Sequence, residues 1–337
     1  MDGGTCRMPI SNTTTCAPTS GGCAAAGGSE GGRPLASDET PPPASTRTRA
    51  ALRALALGAS AEILPGQLPS PEVLARHLPR ATSVYIPYPP KGRWPDTIAA
   101  CEQALAAGMK PVPHLPARSV RSAGELDDWL AGVVETGADA VMLMAGDRAT
   151  PAGPYPDTPA LLDSGLLAEH GLRRLGVTSY PEGHPVIARA DLDEALRRKM
   201  EYARATGSEL WIVTQFVFSP SPVLTWLARM RDAGCTMPVR IGMPGPVALG
   251  ALIGYAVRSG VVASARALKR KPGIARLAGR WSPTPVALAL ARHLAARAEE
   301  APVDIHLFTF GGLADAAEWL SNLRKPDELA VCPPETS

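Results

Sequence analysis

The chain has 337 residues, 34 of them basic and 32 acidic, and 45% are hydrophobic. That length suits one large α/β domain or two small ones, and the hydrophobic share is enough to build a core. The near balance of charge offers no surface for nucleic acid, and no run of about 18 uncharged apolar residues is present to cross a membrane.

The first fifty residues differ from the rest. They hold no aromatic residue, and Ile10 and Leu35 are their only large aliphatics apart from methionines. Rich in Gly, Ser, Thr and Pro, the segment cannot bury enough apolar surface to offset its ordering entropy. It also lacks the apolar stretch of a signal peptide. Residues 1–50 are therefore expected to be a disordered tail, 51–327 the folded domain and 328–337 a short C-terminal tail. Cys6, Cys16, Cys23, Cys101, Cys235 and Cys332 are scattered without a CxxC pair. That spacing predicts free thiols in a cytoplasmic protein, with neither a metal site nor a disulfide framework.

From residue 51 short apolar runs alternate with amphipathic ones. The expected strands are Ala61–Leu64, Ser83–Pro87, Pro111–Leu115, Ala140–Ala145, Arg174–Tyr180, Leu210–Phe216, Val239–Met243 and Asp304–Phe310. Helical patterns lie between them. "PDTIAACEQALAAG" opens on Pro95-Asp96 and stops at Gly108, and "SAGELDDWLAGVVETG" opens on a Ser cap and ends at Gly137. "DLDEALRRKMEYARATG" runs from Asp191 to Gly207, and "SPVLTWLARMRDAG" from Ser221 to Gly234. "SPTPVALALARHLAARAEE" precedes the eighth strand and "LADAAEWLSNLR" follows it. The seventh connection, Gly245 to about Arg280, is longer and is expected to hold an extra helix or two. Eight strands, each followed by a helix, predict a (β/α)8 TIM barrel. Several strands are almost continuously apolar, as parallel strands covered on both faces should be. Neither GxGxxG after the first strand nor GxxxxGK[ST] is present, which argues against a Rossmann or P-loop reading.

A barrel places its chemistry at the C-terminal ends of its strands. Those ends are polar here: Glu62, His114, Gly146-Asp147, Tyr180 with Glu182 and His184, Gln215, and His306 with Thr309. Each has a structural alternative. Glu62 could pair with an arginine inside the barrel, and His114 could bond a backbone carbonyl in the core. Asp147 could cap a turn, Gln215 could tie two strands, and Tyr180 and His184 could simply pack their loop.

"YPEGHP", then "LRRKM", "IVTQFVF" and "PVRIGMPGP" resemble the methylenetetrahydrofolate reductase family. "PHLP", "MAGD" and "IHLFTF" are similar to its third, fourth and eighth strands, so the likeness covers about residues 58–325. The resemblance implies hydride transfer from NAD(P)H through FAD to 5,10-methylenetetrahydrofolate, giving 5-methyltetrahydrofolate. It implies Glu62 as the acid that opens the imidazolidine ring, Asp147 beside the pterin and flavin, and Gln215 facing the folate. It implies His114, Gly146, Tyr180, His184 and Lys199 as flavin-binding, with no metal. The residue types suit that chemistry. A partly buried Glu with a raised pKa can protonate a leaving amine, and an amide offers a donor and an acceptor to a pterin edge. A homo-oligomer is allowed, and no nucleic-acid or membrane partner is expected.

The sequence departs from the family in places. Ala145 stands where an arginine usually precedes Gly-Asp, strand 2 runs into "PYPPKGRWPDT", and Phe308 stands where Tyr is common. An alternative is a folate-binding barrel that serves as methyl acceptor or non-catalytic partner in a demethylation system.

Overall fold

Eight of the strands are parallel to their neighbours. They are β1 (Ser60–Glu62), β2 (Ser83–Ile86), β3 (Lys110–Pro116) and β4 (Ala140–Met144), followed by β5 (Arg174–Ser179), β6 (Glu209–Thr214), β7 (Val239–Pro244) and β10 (Val303–Phe308). They close on themselves in the order β1-β10-β7-β6-β5-β4-β3-β2, a complete (β/α)8 barrel. Two further short strands, β8 (Val247–Ala248) and β9 (Arg280–Trp281), pair antiparallel across the ends of the long seventh connection. The computed structural model describes residues 45–89, 91–184, 186–248, 252, 280–297 and 301–325. The expected helices within the seventh connection, the C-terminal tail and nearly all of the N-terminal tail lie outside the described residues.

Six of the ten described helices form where the patterns put them. The ten are α1 (Thr46–Leu57), α2 (Pro71–His77), α3 (Trp94–Ala106), α4 (Ala123–Thr136), α5 (Thr158–Leu162) and α6 (Leu166–Glu169). Then come α7 (Arg189–Thr206), α8 (Pro220–Asp232), α9 (Thr284–Ala296) and α10 (Leu313–Arg324). The Ser122 hydroxyl accepts the Glu125 N–H at the start of α4, and Gly137 ends that helix at φ 87°. Only a residue without Cβ adopts that conformation freely, which is why the pattern stops there. The helices bury Leu126, Leu130, Val133, Leu227, Leu290 and Leu320 against the outer faces of the strands.

Helix α1 corrects the expected tail boundary. It begins at Thr46, inside the segment read as disordered, and buries Thr48, Leu52, Leu55 and Ala56. It packs on α9, α10 and β10. The leucines of "TRTRAALRALAL" are spaced for one helical face, but the pattern overlaps a Gly/Pro-rich run that masked it. Helix α2 and the short α5 and α6 were also not anticipated, because each carries too few turns for a periodic signal.

Inside the barrel every second residue points inward. Tyr85, Val112, Ala140, Met142 and Val213 form this inner core, with Met144 and Trp211 packed on it. Gly176 of β5 makes room for the indole: a Cβ there would lie 2.6 Å from the Met142 sulfur and 3.1 Å from the Trp211 ring. At the N-terminal end of the barrel a cavity of ≈ 520 Å³ is lined by Lys110, Asp139, Arg174, Glu209, Arg240 and Asp304, among others. Arg174 is paired there with Asp139 at 2.6 Å and Glu209 at 3.1 Å. This is the end that stabilises such barrels, opposite the one where their chemistry sits.

Candidate active site

Glu62 is the last residue of β1, so its carboxyl emerges at the C-terminal mouth of the barrel. Its Oε2 lies 3.7 Å from Nε2 of His114 on β3 and 3.6 Å from Nε2 of His306 on β10. The Glu62 side chain is 20% exposed, while those of His114 and His306 are 8% and 0% exposed. Both distances exceed a hydrogen bond. Both Nε2 atoms are buried without a hydrogen-bond partner. The arginine partner weighed for Glu62 is thus replaced by two histidines.

Electrostatics follow from burial. Desolvation raises the pKa of Glu62, and His114 opposes that shift. The same desolvation lowers His114 to about 4, against the pull of Glu62, and His306 to about 3. At neutral pH the two imidazoles are therefore uncharged, and the carboxyl has no cation to hold its proton off.

Ser60 holds His306 by its other ring nitrogen. Nδ1 lies 2.9 Å from Ser60 Oγ, and Ser60 Oγ donates to the Ile305 carbonyl at 3.4 Å. Tyr85 packs edge-on beneath both imidazoles, with ring centroids 6.0 Å from His114 and 4.5 Å from His306. Ser60, Tyr85 and His306 were not among the expected catalytic residues. The signal that reveals Ser60 and His306 is alternation: Ser60 and Glu62 share one face of β1, and His306 lies in register with Ser60.

A wall of aromatic rings stands beside Glu62. Phe308 is in register with Glu62, and its ring lies edge-on to His306 at 4.9 Å and to Phe216 at 5.3 Å. Phe310, at φ 47°, stacks beside Phe308 with centroids 6.1 Å apart. Phe218 joins through Phe216 at 5.6 Å and reaches Trp281 at 5.2 Å. All four phenylalanines of the chain are in this wall. The turn is anchored to β1, where Thr309 Oγ1 donates to the Glu62 carbonyl at 2.7 Å.

Gln215 lies one residue beyond β6, and its Oε1 accepts the N–H of Phe216 at 3.0 Å. This bond is local, so its side chain does not join two strands by it. Asp147 is exposed and follows Gly146, whose φ of 87° and contact with Pro116 set the turn after β4. Asp147 is close enough to Tyr180 for its charge to raise the phenol pKa, after burial, the main cause.

The residues that the resemblance assigns to a flavin sit in different surroundings. His114 turns its Nε2 inward to Glu62. Lys199 is buried on α7, donates to the Thr178 carbonyl at 2.9 Å, and is lowered by desolvation to about 8. Tyr180 and His184 pack edge-on at 4.9 Å, and His184 Nδ1 accepts the N–H groups of Val186 and Ile187. Ala145 offers no charge beside Gly146. Gly146, Tyr180 and His184 remain partly exposed. Among the described residues no group of three or more His, Cys, Asp or Glu is arranged to hold a metal ion. Among them, too, no helix is long and apolar enough to cross a membrane.

No protein-family model matches the sequence. Among solved structures, the chain is similar to an uncharacterised protein from Clostridium thermocellum that binds two copies of 5-methyl-5,6,7,8-tetrahydrofolic acid. That likeness has a TM-score of 0.51 and 10% identity, covering 78% of this chain and 95% of that chain. It is also similar to the dihydropteroate synthase of Thermus thermophilus, at a TM-score of 0.40 and 16% identity over 78% of this chain and 91% of that one. At 10% identity the first of these likenesses is one of fold.

Proposed function

We propose that the mouth of this barrel binds a reduced folate and interconverts 5,10-methylenetetrahydrofolate and 5-methyltetrahydrofolate, with NAD(P)H as the hydride donor. The observation that carries the reading is Glu62: a partly buried carboxyl with raised pKa, flanked by two neutral histidines at the catalytic end of the barrel. A structural ion pair would show the opposite, a carboxylate held ionised by a cation. A neighbour of the same fold binds 5-methyltetrahydrofolate, so a barrel of this architecture can take such a ligand.

In the reductive direction the bond between the methylene carbon and the leaving amine nitrogen breaks. That nitrogen takes the proton from Glu62, and the carbon is left as an iminium cation. A hydride then passes from the nicotinamide to this carbon, giving the methyl group and NAD(P)⁺. Glu62, which is partly exposed at the mouth, recovers a proton from solvent. Asp147, at the rim, supplies negative charge near the developing cation, and Gln215 offers its amide to the pterin edge. Each step uses only this chain and its two substrates. FAD, which the resemblance implies, is the alternative carrier between them.

A second reading is favoured by Ala145, which offers no charge beside Gly146: a folate-binding barrel without redox chemistry. The deciding experiment follows NAD(P)H oxidation by purified protein with and without methylenetetrahydrofolate and added FAD. Folate-dependent oxidation that Glu62→Gln lowers by about 10²–10⁴-fold supports the hydride reading, this being the usual scale of general acid catalysis. Folate binding without oxidation under either condition would leave the second reading. A preparation that needs FAD for turnover would restore the flavin.

A further inference from the structure

We infer that Phe308 is a positioning residue that shields Glu62 from water on one side and so favours its acid form. The inference deepens the hydride-transfer reading and rests on it for the use made of that acid.

Neighbouring parallel strands in register set side chains of like direction side by side. Glu62 and Phe308 are such a pair, the last residues of β1 and β10. The ring of Phe308 is fixed from several sides. It meets the rings of His306, Phe216 and Phe310. On the β7 side a Cβ on Gly242 would lie 2.8 Å from Phe308 Cε2, so glycine there is what lets the ring lie over the strand. The groups that face Glu62 are His114 from β3 and His306 from β10, with Tyr85 of β2 beneath the two imidazoles. Arg240 and Asp304 lie one layer deeper, and Arg240 acts on His306 and Tyr85. On its Phe308 side Glu62 therefore meets a hydrocarbon face. A polar side chain there would solvate the carboxylate and release its proton at lower pH.

Met and Gln are similar in length and differ in polarity, so Phe308→Met and Phe308→Gln separate dryness from volume. Two readouts are used on the full chain. The first is the pH profile of kcat/KM for methylenetetrahydrofolate with NADH. The second is the infrared carboxyl band of protonated Glu62, assigned by its loss in Glu62→Gln. In the reductive direction the rate falls as Glu62 deprotonates. Phe308→Gln is expected to move that alkaline limb and the band titration to lower pH by about one unit, a tenfold change in the proton equilibrium. Phe308→Met should leave both within about 0.3 unit of wild type. Equal titrations in all three proteins, or equal shifts in the Met and Gln variants, would overturn the inference. If Phe308→Gln does not fold, Phe308→Ala takes its place, since it opens the same wall to water. A wild-type protein with no folate turnover but the expected infrared response would defeat the hydride reading and leave the effect of Phe308 on Glu62 standing.

Discussion

Trp211 of β6 donates its indole N–H to the hydroxyl of Tyr85 of β2 at 2.6 Å. In the strand order these two strands are diametrically opposed, so the bond spans the barrel interior. It forms one storey of a polar column, with the charged residues of the N-terminal end below and Glu62 with its histidines above. Burial pushes the Tyr85 phenol up to about 12, so it stays neutral and can serve as this acceptor at any working pH. Tyr85→Phe keeps the ring beneath His114 and His306 and removes the acceptor. It is expected to destabilise the fold by roughly 1–3 kcal/mol, the usual cost of leaving a buried donor unpaired. Chemical denaturation reads this directly, and an unchanged midpoint would mean that the bond contributes nothing net.

The neutral histidines tie stability to pH. His114 and His306 titrate near 4 and 3 in the folded chain against an ordinary value of 6.5. Between those values the unfolded chain binds protons that the folded chain does not. Stability is thus fully present above about 6.5 and is lost as pH falls towards 4, by about 1.4 kcal/mol per pH unit for each proton. Glu62, with its pKa raised, acts in the opposite sense, since the folded chain holds its proton above 4.5. Urea midpoints from pH 7 to 4.5 should therefore fall steeply in wild type and less steeply in His306→Asn. Equal slopes in the two proteins would show that His306 is not buried neutral.

The barrel was legible because its signals are local and repeated. Apolar runs of strand length, each followed by a capped amphipathic helix, place Ser83–Ile86, Ala140–Met144 and Leu313–Arg324 within a residue of where they lie. Position along the strands also brought Glu62 and His114 to one end, which follows from topology alone. What the residues face was not legible. Nothing in "PHLP" says that the imidazole turns to Glu62 rather than outward, because that depends on barrel closure bringing β3 and β1 to the same axis. Lys199 lies in the charged run "LRRKM", where nothing local marks it as the buried residue of α7, drawn in to the Thr178 carbonyl. Tyr85 and Trp211 are 126 residues apart, and no local pattern announces a bond between them.

Helix α1 separates two truncations that composition alone would treat alike. Removing residues 1–44 takes away only the segment too polar to form a core. It should leave the melting temperature unchanged. Removing residues 1–57 also strips Leu52 and Leu55 from contact with α9, α10 and β10. Burial of each leucine is worth roughly 1.5–3 kcal/mol, so the second truncation should melt far lower or fail to fold. Equal melting of the two proteins would mean that α1 is not part of the barrel's stable core. Ser45→Ala gives a milder check. Its hydroxyl accepts the Thr48 N–H, and loss of such a cap costs about 1 kcal/mol.

Gln215 and Glu62 should fail in different ways. The Gln215 carbonyl oxygen is held by the Phe216 N–H, which leaves the amide nitrogen to donate to a ligand at the mouth. Gln215→Ala removes recognition and leaves the proton donor in place. The KM for folate is therefore expected to rise about tenfold, the worth of roughly one hydrogen bond, with kcat changed far less. Glu62→Gln keeps size and loses the proton, so its effect should fall on kcat. Gln215→Glu adds an internal control, because a carboxylate still accepts from Phe216 but has no amide donor for the pterin. It should resemble Gln215→Ala in KM while keeping the wild-type melting temperature. A fall in kcat in Gln215→Ala as large as that in Glu62→Gln, with KM unmoved, would place Gln215 in the chemical step and take it out of folate recognition.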